Sequence, residues 1–355
     1  MTPRERVLTA MRRKKPDKTP YFLDYGSFAP QLMDTFKSET QSDNPAEYFG
    51  YSLRILSFAS TMRKEKFDGY IPQTLPEGAI INPEWGNVEI AGAHANISQV
   101  VYHVLSQAKD AADIDRYPMP DFLEPYRHRH LADQNRALHA RGYATLGFMS
   151  QTLFETSWIL CGFEKFLTGM VEDDPLVDRL LDRLEALRIK QAEIYAVAGV
   201  DILRIGDDVG TERGMMISPG QFREKLKPRY ARIIAAARRV KPDILIFYHS
   251  DGDCRQIIPD LIEIGVEILN PVQPECMDPA EIKRQYGKDL AFIGTISTQR
   301  TMPFGTPDEV RDEVRHRIET VGYDGGLLLS PSHLLQDEVP WENVLAFFDA
   351  IETYG

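Results

Sequence analysis

Hydrophobic positions along the chain fall into short dense runs, each followed by a stretch with helical spacing. In order the runs are PYFLDY (20–25), GYIP (69–72), YATLGF (143–148), DILRIG (201–206), DILIFYH (243–249), EILNPV (267–272), LAFIGT (290–295) and GGLLLSP (325–331). The later runs are dense in Ile, Leu and Val and lack polar alternation, as expected of parallel strands buried on both faces. The helices between them open on a repeated signature. Ser218-Pro219 with Gln221, Asp278-Pro279 with Glu281, and Thr306-Pro307 with Glu309 each offer an N-cap, a first-turn proline and an acceptor at the third helical position. Apolar faces follow the caps, as in Leu176, Leu180, Leu184 and Leu187. Strands alternating with helices in this way predict a (β/α)8 TIM barrel. A doubly wound open sheet is the rival, weakened because no GxGxxG or GxxxxGK[ST] loop follows a strand; the same absence argues against a nucleotide cofactor. Residues 73–142 are too long for a simple helix connection and predict an insertion between the second and third strands, with GAIINPEWGNVEI (78–90) as a hairpin turning near Gly86-Asn87. Residues 1–355 read as one decorated domain.

Composition narrows the function. The chain has 355 residues, 43% of them hydrophobic, and a formal net charge of -12. The charge disfavours nucleic acid, whose phosphates would be repelled, and docking on an anionic membrane. No apolar run approaches the ~18 residues of a membrane-spanning helix. The basic stretch MTPRERVLTAMRRKKPDK lacks the apolar core of a signal peptide and reads as a helix capped by Thr2, Pro3 and Glu5. Cysteines stand only at 161, 254 and 276, which suits a reducing cytoplasm better than a disulfide framework. The expected partner is a small-molecule substrate.

In such barrels the chemistry gathers at the C-terminal strand ends. That rule sends Asp24, Asp207, Asp208, His249, Asp251, Asn270, Gln273, Glu275 and His333 to one mouth. His249 and Asp251 form an H-x-D pair directly after a strand, and His333 can approach across the barrel. Two imidazoles and a carboxylate with an open position suit a catalytic zinc or iron ion. The same residues equally suit hydrogen bonding to substrate, or helix capping. Asp207-Asp208 is a paired carboxylate in which proximity would raise one pKa and offer a general acid; a salt bridge to Arg204 or Arg213 is the alternative. Cys254 stands where a helix begins but reads better as packing. Aromatic residues near the mouth, among them Tyr25, Phe148, Trp158 and Tyr248, would suit a ring.

The motifs LFETSWILCGFEKFL, GDDVGTERGMMISPGQFREKLKPRY, FYHSDGD, LNPVQPE, MPFGTPDEV and GGLLLSPSHLL together resemble the uroporphyrinogen decarboxylase superfamily, most closely its methyltransferase-like branch of corrinoid-dependent enzymes. The likeness runs nearly end to end and implies a (β/α)8 barrel and a homodimer. Two chemistries come with it. The decarboxylases use an arginine-rich segment after the first strand to bind an octacarboxylate, with an Asp after the second. Here GSFAPQLMDTF has no Arg, and Asp68 alone stands near the Asp position. The methyltransferases resemble zinc barrels, with an H-x-C pair after one strand and a further Cys after the last. His249 matches the His, whereas Asp251 and His333 stand where thiolates are expected. The resemblance therefore implies methyl transfer between a small methylated substrate, methoxylated aromatics included, and a corrinoid. No D-x-H-x-x-G motif occurs, so a separate corrinoid protein would carry it. Expected catalytic residues are Asp207, Asp208, His249 and His333; expected zinc ligands are His249, Asp251 and His333; expected substrate contacts are Asp24, Tyr25, Phe148, Tyr248, Gln273 and Glu275. The alternatives are a metal-independent decarboxylase of a less acidic substrate and a non-catalytic tetrapyrrole- or corrinoid-binding protein.

Overall fold

A computed structural model of the chain describes residues 1–63, 67–92, 98–149 and 151–355. Its strands, in chain order, are β1 (Leu53–Leu56), β2 (Ile80–Ile81), β3 (Val88–Ala91), β4 (Ser98–Tyr102), β5 (Ala144–Phe148), β6 (Ile202–Gly206), β7 (Gly210–Thr211), β8 (Gly214–Met215), β9 (Leu245–His249), β10 (Ile268–Asn270), β11 (Ala291–Ile296) and β12 (Leu327–Pro331). Among the described residues, seven of these pair as one parallel sheet in the order β1-β5-β6-β9-β10-β11-β12. Residues 20–22 bridge its two edges. Leu329 N donates to Pro20 O (2.9 Å), Phe22 N to Leu329 O (3.1 Å), and Ser52 N to Tyr21 O (2.9 Å). This short eighth stave closes the ring, so the expected (β/α)8 barrel is the fold. The stave is brief because the chain turns away at once through the 3-10 turn Asp24–Gly26.

The second barrel strand is Leu53–Leu56, not the expected GYIP, which is a turn. A four-residue run holding Gly69 and Pro72 has little capacity for a sheet ladder. The true strand, LRIL, is interrupted by Arg54, whose guanidinium lies 3.9 Å from the centre of the Tyr143 ring and donates to Ala46 O at 2.9 Å. Stacking on an aromatic face and bonding a carbonyl let this cation sit in a strand.

Between β1 and β5 lies an antiparallel sheet, β2-β3-β4. Its first hairpin is the one read from GAIINPEWGNVEI: Ile80 pairs with Glu89 and Ile81 with Val88. Residues 93–97 of the expected insertion lie outside the described residues. The stretch after β4 is tied to the helix Phe154–Cys161 by Leu105 N to Leu160 O at 2.8 Å, and His103 Nδ1 lies 2.7 Å from Ile159 O. Lys165 adds a bond to Ser106 O at 3.0 Å. The stretch after β4 is therefore fastened to the helices that follow β5.

The caps form where the sequence spacing put them, but the acceptor expected at Glu281 closes no capping box. Thr2 with Glu5, Ser218 with Gln221, and Thr306 with Glu309 make full capping boxes. Asp278 and Asp174 cap with the side chain only. No helix among the described residues is long and apolar enough to cross a membrane.

At the end of β6 the chain passes hard against β9. Gly206 has φ +128, and a Cβ there would lie 2.2 Å from His249 O. Gly206→Ala is expected to lower stability by at least about 2 kcal/mol, from backbone strain plus displacement of the His249 peptide. Urea denaturation of the two proteins measures this; an unchanged midpoint and slope would refute the close-approach reading.

Candidate active site

The barrel interior beneath the mouth holds a guanidinium. Arg204 on β6 is 1% exposed, its Nη1 2.8 Å from Asp24 Oδ1. Three rings surround the cation: Phe148 (4.6 Å), Tyr25 (4.9 Å) and Phe247 (5.3 Å). Burial alone would depress the Arg204 pKa, but Asp24 and Tyr25 outweigh it and the pKa is raised. Asp24 also accepts from Tyr25 N at 2.9 Å, holding Tyr25 in a left-handed conformation with φ 61. Asp24 N in turn donates to Ser330 Oγ at 3.0 Å, linking the first stave to β12. Asp24, Tyr25 and Phe148, all expected substrate contacts, thus come together around Arg204, which sequence reasoning raised only as a partner for Asp207 or Asp208. The signal was a lone charge inside the strand ILRIG, at an inward-facing position.

Above this floor sit Asp208, His249 and Asp251. One ligand atom from each lies within 4.8 Å of the others. Backbone packing accounts for the meeting. Gly252 has φ +76, and a Cβ there would lie 2.6 Å from the Gly210 carbonyl carbon, so the loops after β6 and β9 touch main chain to main chain. Asp253 N donates to Thr211 O at 2.8 Å, and Asp251 N donates to Asp208 Oδ1 at 2.8 Å. His249 Nε2 lies 3.6 Å from the same carboxylate oxygen.

The imidazole is oriented from behind. Asn270 Nδ2 donates to Ile293 O at 3.0 Å, which turns its Oδ1 towards His249 Nδ1 at 2.5 Å. An amide oxygen only accepts, so Nδ1 carries a hydrogen and Nε2 is turned towards the two acids. Asp251 Oδ1 is buried and, among the described residues, has no hydrogen-bond partner; the same holds for Asp24 Oδ2 and Glu275 Oε2. Burial pushes the Asp251 carboxyl up to about 7; His249 opposes the rise while Asp208 and Asp24 add to it. The acids Asp24, Asp208 and Asp251 gather with one guanidinium and one imidazole, and the donor set of Asp208, His249 and Asp251, one nitrogen and carboxyl oxygens, fits a divalent cation.

Other expected site residues divide. Gln273 accepts from Gly252 N at 3.2 Å and lines a mouth cavity of about 340 Å³ with Asp251, Ser332 and His333. Glu275 accepts from the Ser297 hydroxyl. His333 packs on Tyr25, ring centres 4.8 Å apart, and burial lowers its pKa, against the pull of Asp24 and Asp208. It is not in the donor cluster; Asp208 is, in the place expected of His333. Asp207 was expected to be catalytic, but it accepts from Leu153 N (2.8 Å), Glu155 N (3.0 Å) and the Tyr230 hydroxyl, anchoring the start of the helix Phe154–Cys161. Tyr248 was expected to touch substrate, but it stacks edge-on with Tyr230, ring centres 5.4 Å apart, in the helix layer. Strand alternation explains it: Phe247 and His249 face inward, so Tyr248 faces out. Asp68 is exposed and takes part in none of the site's hydrogen bonds described here.

Sequence reasoning missed Glu155. Its Oε2 accepts from Asp208 N at 2.9 Å, and burial, then Asp208 and Asp207, push its carboxyl up to about 9. Burial thus biases a carboxyl beside the donor cluster towards its protonated form. Burial pushes the Cys254 thiol up to about 12 and the Cys276 thiol to about 11, so neither offers a ready thiolate. The Asp24–Arg204 pair carries the floor. Asp24→Ala is expected to cost about 3–5 kcal/mol by leaving a buried cation unpaired, whereas Asp24→Leu with Arg204→Met should recover most of that loss. Thermal and chemical unfolding of the three proteins test it; equal losses in single and double variants would contradict the pairing.

The chain is similar to proteins of known activity. It is 26% identical over 196 residues to the methylcobamide:CoM methyltransferase MtaA of Methanosarcina barkeri, covering 55% of this chain and 54% of that one. It is 22% identical over 169 residues to a methylated-thiol–coenzyme M methyltransferase of Methanosarcina mazei, covering 46% of this chain and 42% of that one. The chain thus spans about half the length of the curated relatives it matches. A solved methyltransferase structure from Methanosarcina mazei superposes with a TM-score of 0.69 at 19% identity, covering 100% of this chain and 99% of that one, which speaks for the fold. The family model for uroporphyrinogen decarboxylase (URO-D) matches residues 91–354. With that match over most of its length, on a closed barrel whose strand ends converge on one polar mouth, the chain belongs to the uroporphyrinogen decarboxylase family.

Proposed function

We propose that this member of the family is a methyltransferase, moving a methyl group between a small methylated substrate and a corrinoid carried by a separate protein. The observation that carries the reading is the cluster of Asp208, His249 and Asp251, with the unpartnered Asp251 Oδ1 near His249 Nε2. The names of the two curated relatives support methyl transfer as the class of reaction.

Asp208, His249 and Asp251 would hold a zinc ion, which when bound supplies Lewis acidity towards the heteroatom that carries the methyl group. The rest of the work falls to the chain. Asn270 keeps the imidazole in one tautomer and one orientation, as second-shell partners of metal-binding histidines do. Glu155, biased towards its protonated form next to Asp208, would offer a proton to a leaving oxygen or sulfur. Tyr25, His333 and Gln273 shape the mouth. Asp208, with 34% of its side chain exposed, is the member of the cluster open towards an incoming partner.

Decarboxylation of a polyacid is less well supported. A substrate with many carboxylates needs cationic partners. The residues that line the mouth cavity include no Lys or Arg, and the nearby Arg204 is already engaged by Asp24.

The test is methyl transfer to reduced cobalamin, followed by the absorbance of methylcobalamin, with methoxylated and methylthio compounds as donors. Protein purified without chelator should hold about one zinc per chain. His249→Ala and Asp208→Ala should each lose the metal and at least about 100-fold in rate. His333→Ala should keep the metal. Unchanged transfer in His249→Ala would overturn the assignment.

A further inference from the structure

Behind the donor cluster, between the barrel strands and the helix layer, one tyrosine touches the chain neighbours of two cluster members. The pairing of β6 with β9 ends at Gly206 with His249, so the sheet ladder does not itself set where Asp208 lies. Asp207 precedes Asp208, and Tyr248 precedes His249. Asp207 and Tyr248 are both fully buried, and both meet Tyr230 on the helix Lys227–Val240. The Tyr230 hydroxyl donates to Asp207 Oδ2. Its ring meets the Tyr248 ring edge-on, with centres 5.4 Å apart and an interplanar angle of 80°.

Tyr230 is itself held in place. Phe222 stacks on its ring, with centres 6.2 Å apart and planes 27° from parallel. A π turn, Phe222–Leu226, lies between the two, closed by Lys227 N donating to Phe222 O. Pro228 follows at once and has no N–H with which to continue a regular ladder. Wide turns of this kind occur mostly as single insertions in helices, frequently at functional sites.

Asp207 passes the constraint on. Its carboxylate accepts from Leu153 N at 2.8 Å and Glu155 N at 3.0 Å besides the Tyr230 hydroxyl. Glu155 Oε2 then accepts from Asp208 N at 2.9 Å. On the other side Tyr248 carries His249 by the next peptide, and Asn270 orients that imidazole. One side chain thus ties together the segments that bear Asp208 and His249, acting through their neighbours. Removing its hydroxyl would leave a buried carboxylate short of a donor that water cannot readily replace, and the strand ends would shift in response.

We infer that Tyr230 is a positioning residue for the proposed zinc site: it sets the separation of Asp208 and His249 from behind, through Asp207 and Tyr248. The inference rests on the metal reading of the cluster, and its test reads metal affinity, not turnover. Intact protein stripped by chelator is titrated with zinc against a competing chromophoric chelator. Tyr230→Phe keeps the ring and loses the hydroxyl, and is expected to bind zinc about 10-fold more weakly than the unaltered protein. Tyr195→Phe is the control. It removes a hydroxyl that belongs to an equally buried side chain and bonds a strand-end carbonyl, Phe148 O at 2.8 Å. It bears on β5, and should keep the unaltered affinity. Phe222→Leu loosens the support behind the Tyr230 ring, leaves the hydroxyl, and should give a smaller loss. Circular dichroism establishes which variants fold. Equal losses in Tyr230→Phe and Tyr195→Phe would overturn the inference, since general loosening would then explain both. Unchanged affinity in folded Tyr230→Phe, or in Phe222→Leu where Tyr230→Phe does not fold, would also overturn it and leave the zinc site standing. Absence of zinc binding in the unaltered protein would overturn the zinc reading and this inference with it.

Discussion

The site depends on a positive charge buried inside the barrel. Arg204 is an expensive residue to place on an inner strand face, and the structure offsets the cost with Asp24 and three aromatic rings. Asp24 closes the first stave onto β12 through Ser330 and fixes the left-handed Tyr25, so barrel closure and site geometry share one ion pair. Among the described residues, the guanidinium pairs with Asp24 beneath the cluster of Asp208, His249 and Asp251. That leaves the carboxyl oxygens of Asp208 and Asp251 and the Nε2 of His249 as the donors on which the proposed cation site rests.

The donor set distinguishes this chain within the chemistry its family resemblance implied. Thiolate ligands would suit activation of a thiol, whereas nitrogen and oxygen donors leave a harder, more strongly polarising ion. The cysteines nearest the mouth give no ready alternative: Cys254 is fully buried, and the thiols of Cys254 and Cys276 are both held up by burial. In the proposed site Asp208 stands beside Asp251 because the main-chain contact of Gly252 with Gly210 brings the loops after β6 and β9 together.

Much of the barrel was legible because its signals are local. Dense apolar runs, capping boxes at Thr2, Ser218 and Thr306, and strand ends rich in polar residues are each set within a few residues of sequence. What was not legible depended on contacts distant in the chain. LRIL was hidden because Arg54 is stabilised by Tyr143 and the Ala46 carbonyl. Asp208 and His249 could be placed at one mouth, but not which of two adjacent acids turns inward; a helix start at Leu153 and Glu155 claims Asp207. Tyr248 could have been assigned outward from strand alternation with His249. Glu155 carried no sequence signal, since its raised pKa arises only where the β5 and β6 ends meet.

The central claim is a cation held by nitrogen and oxygen donors of Asp208, His249 and Asp251. X-ray absorption at the zinc edge of the zinc-loaded protein tests it most directly. The account predicts a shell of nitrogen and oxygen neighbours at about 2.0–2.2 Å with the scattering pattern of one imidazole, lost in Asp208→Ala. A sulfur shell at about 2.3 Å, or a spectrum unchanged by Asp208→Ala, would contradict it.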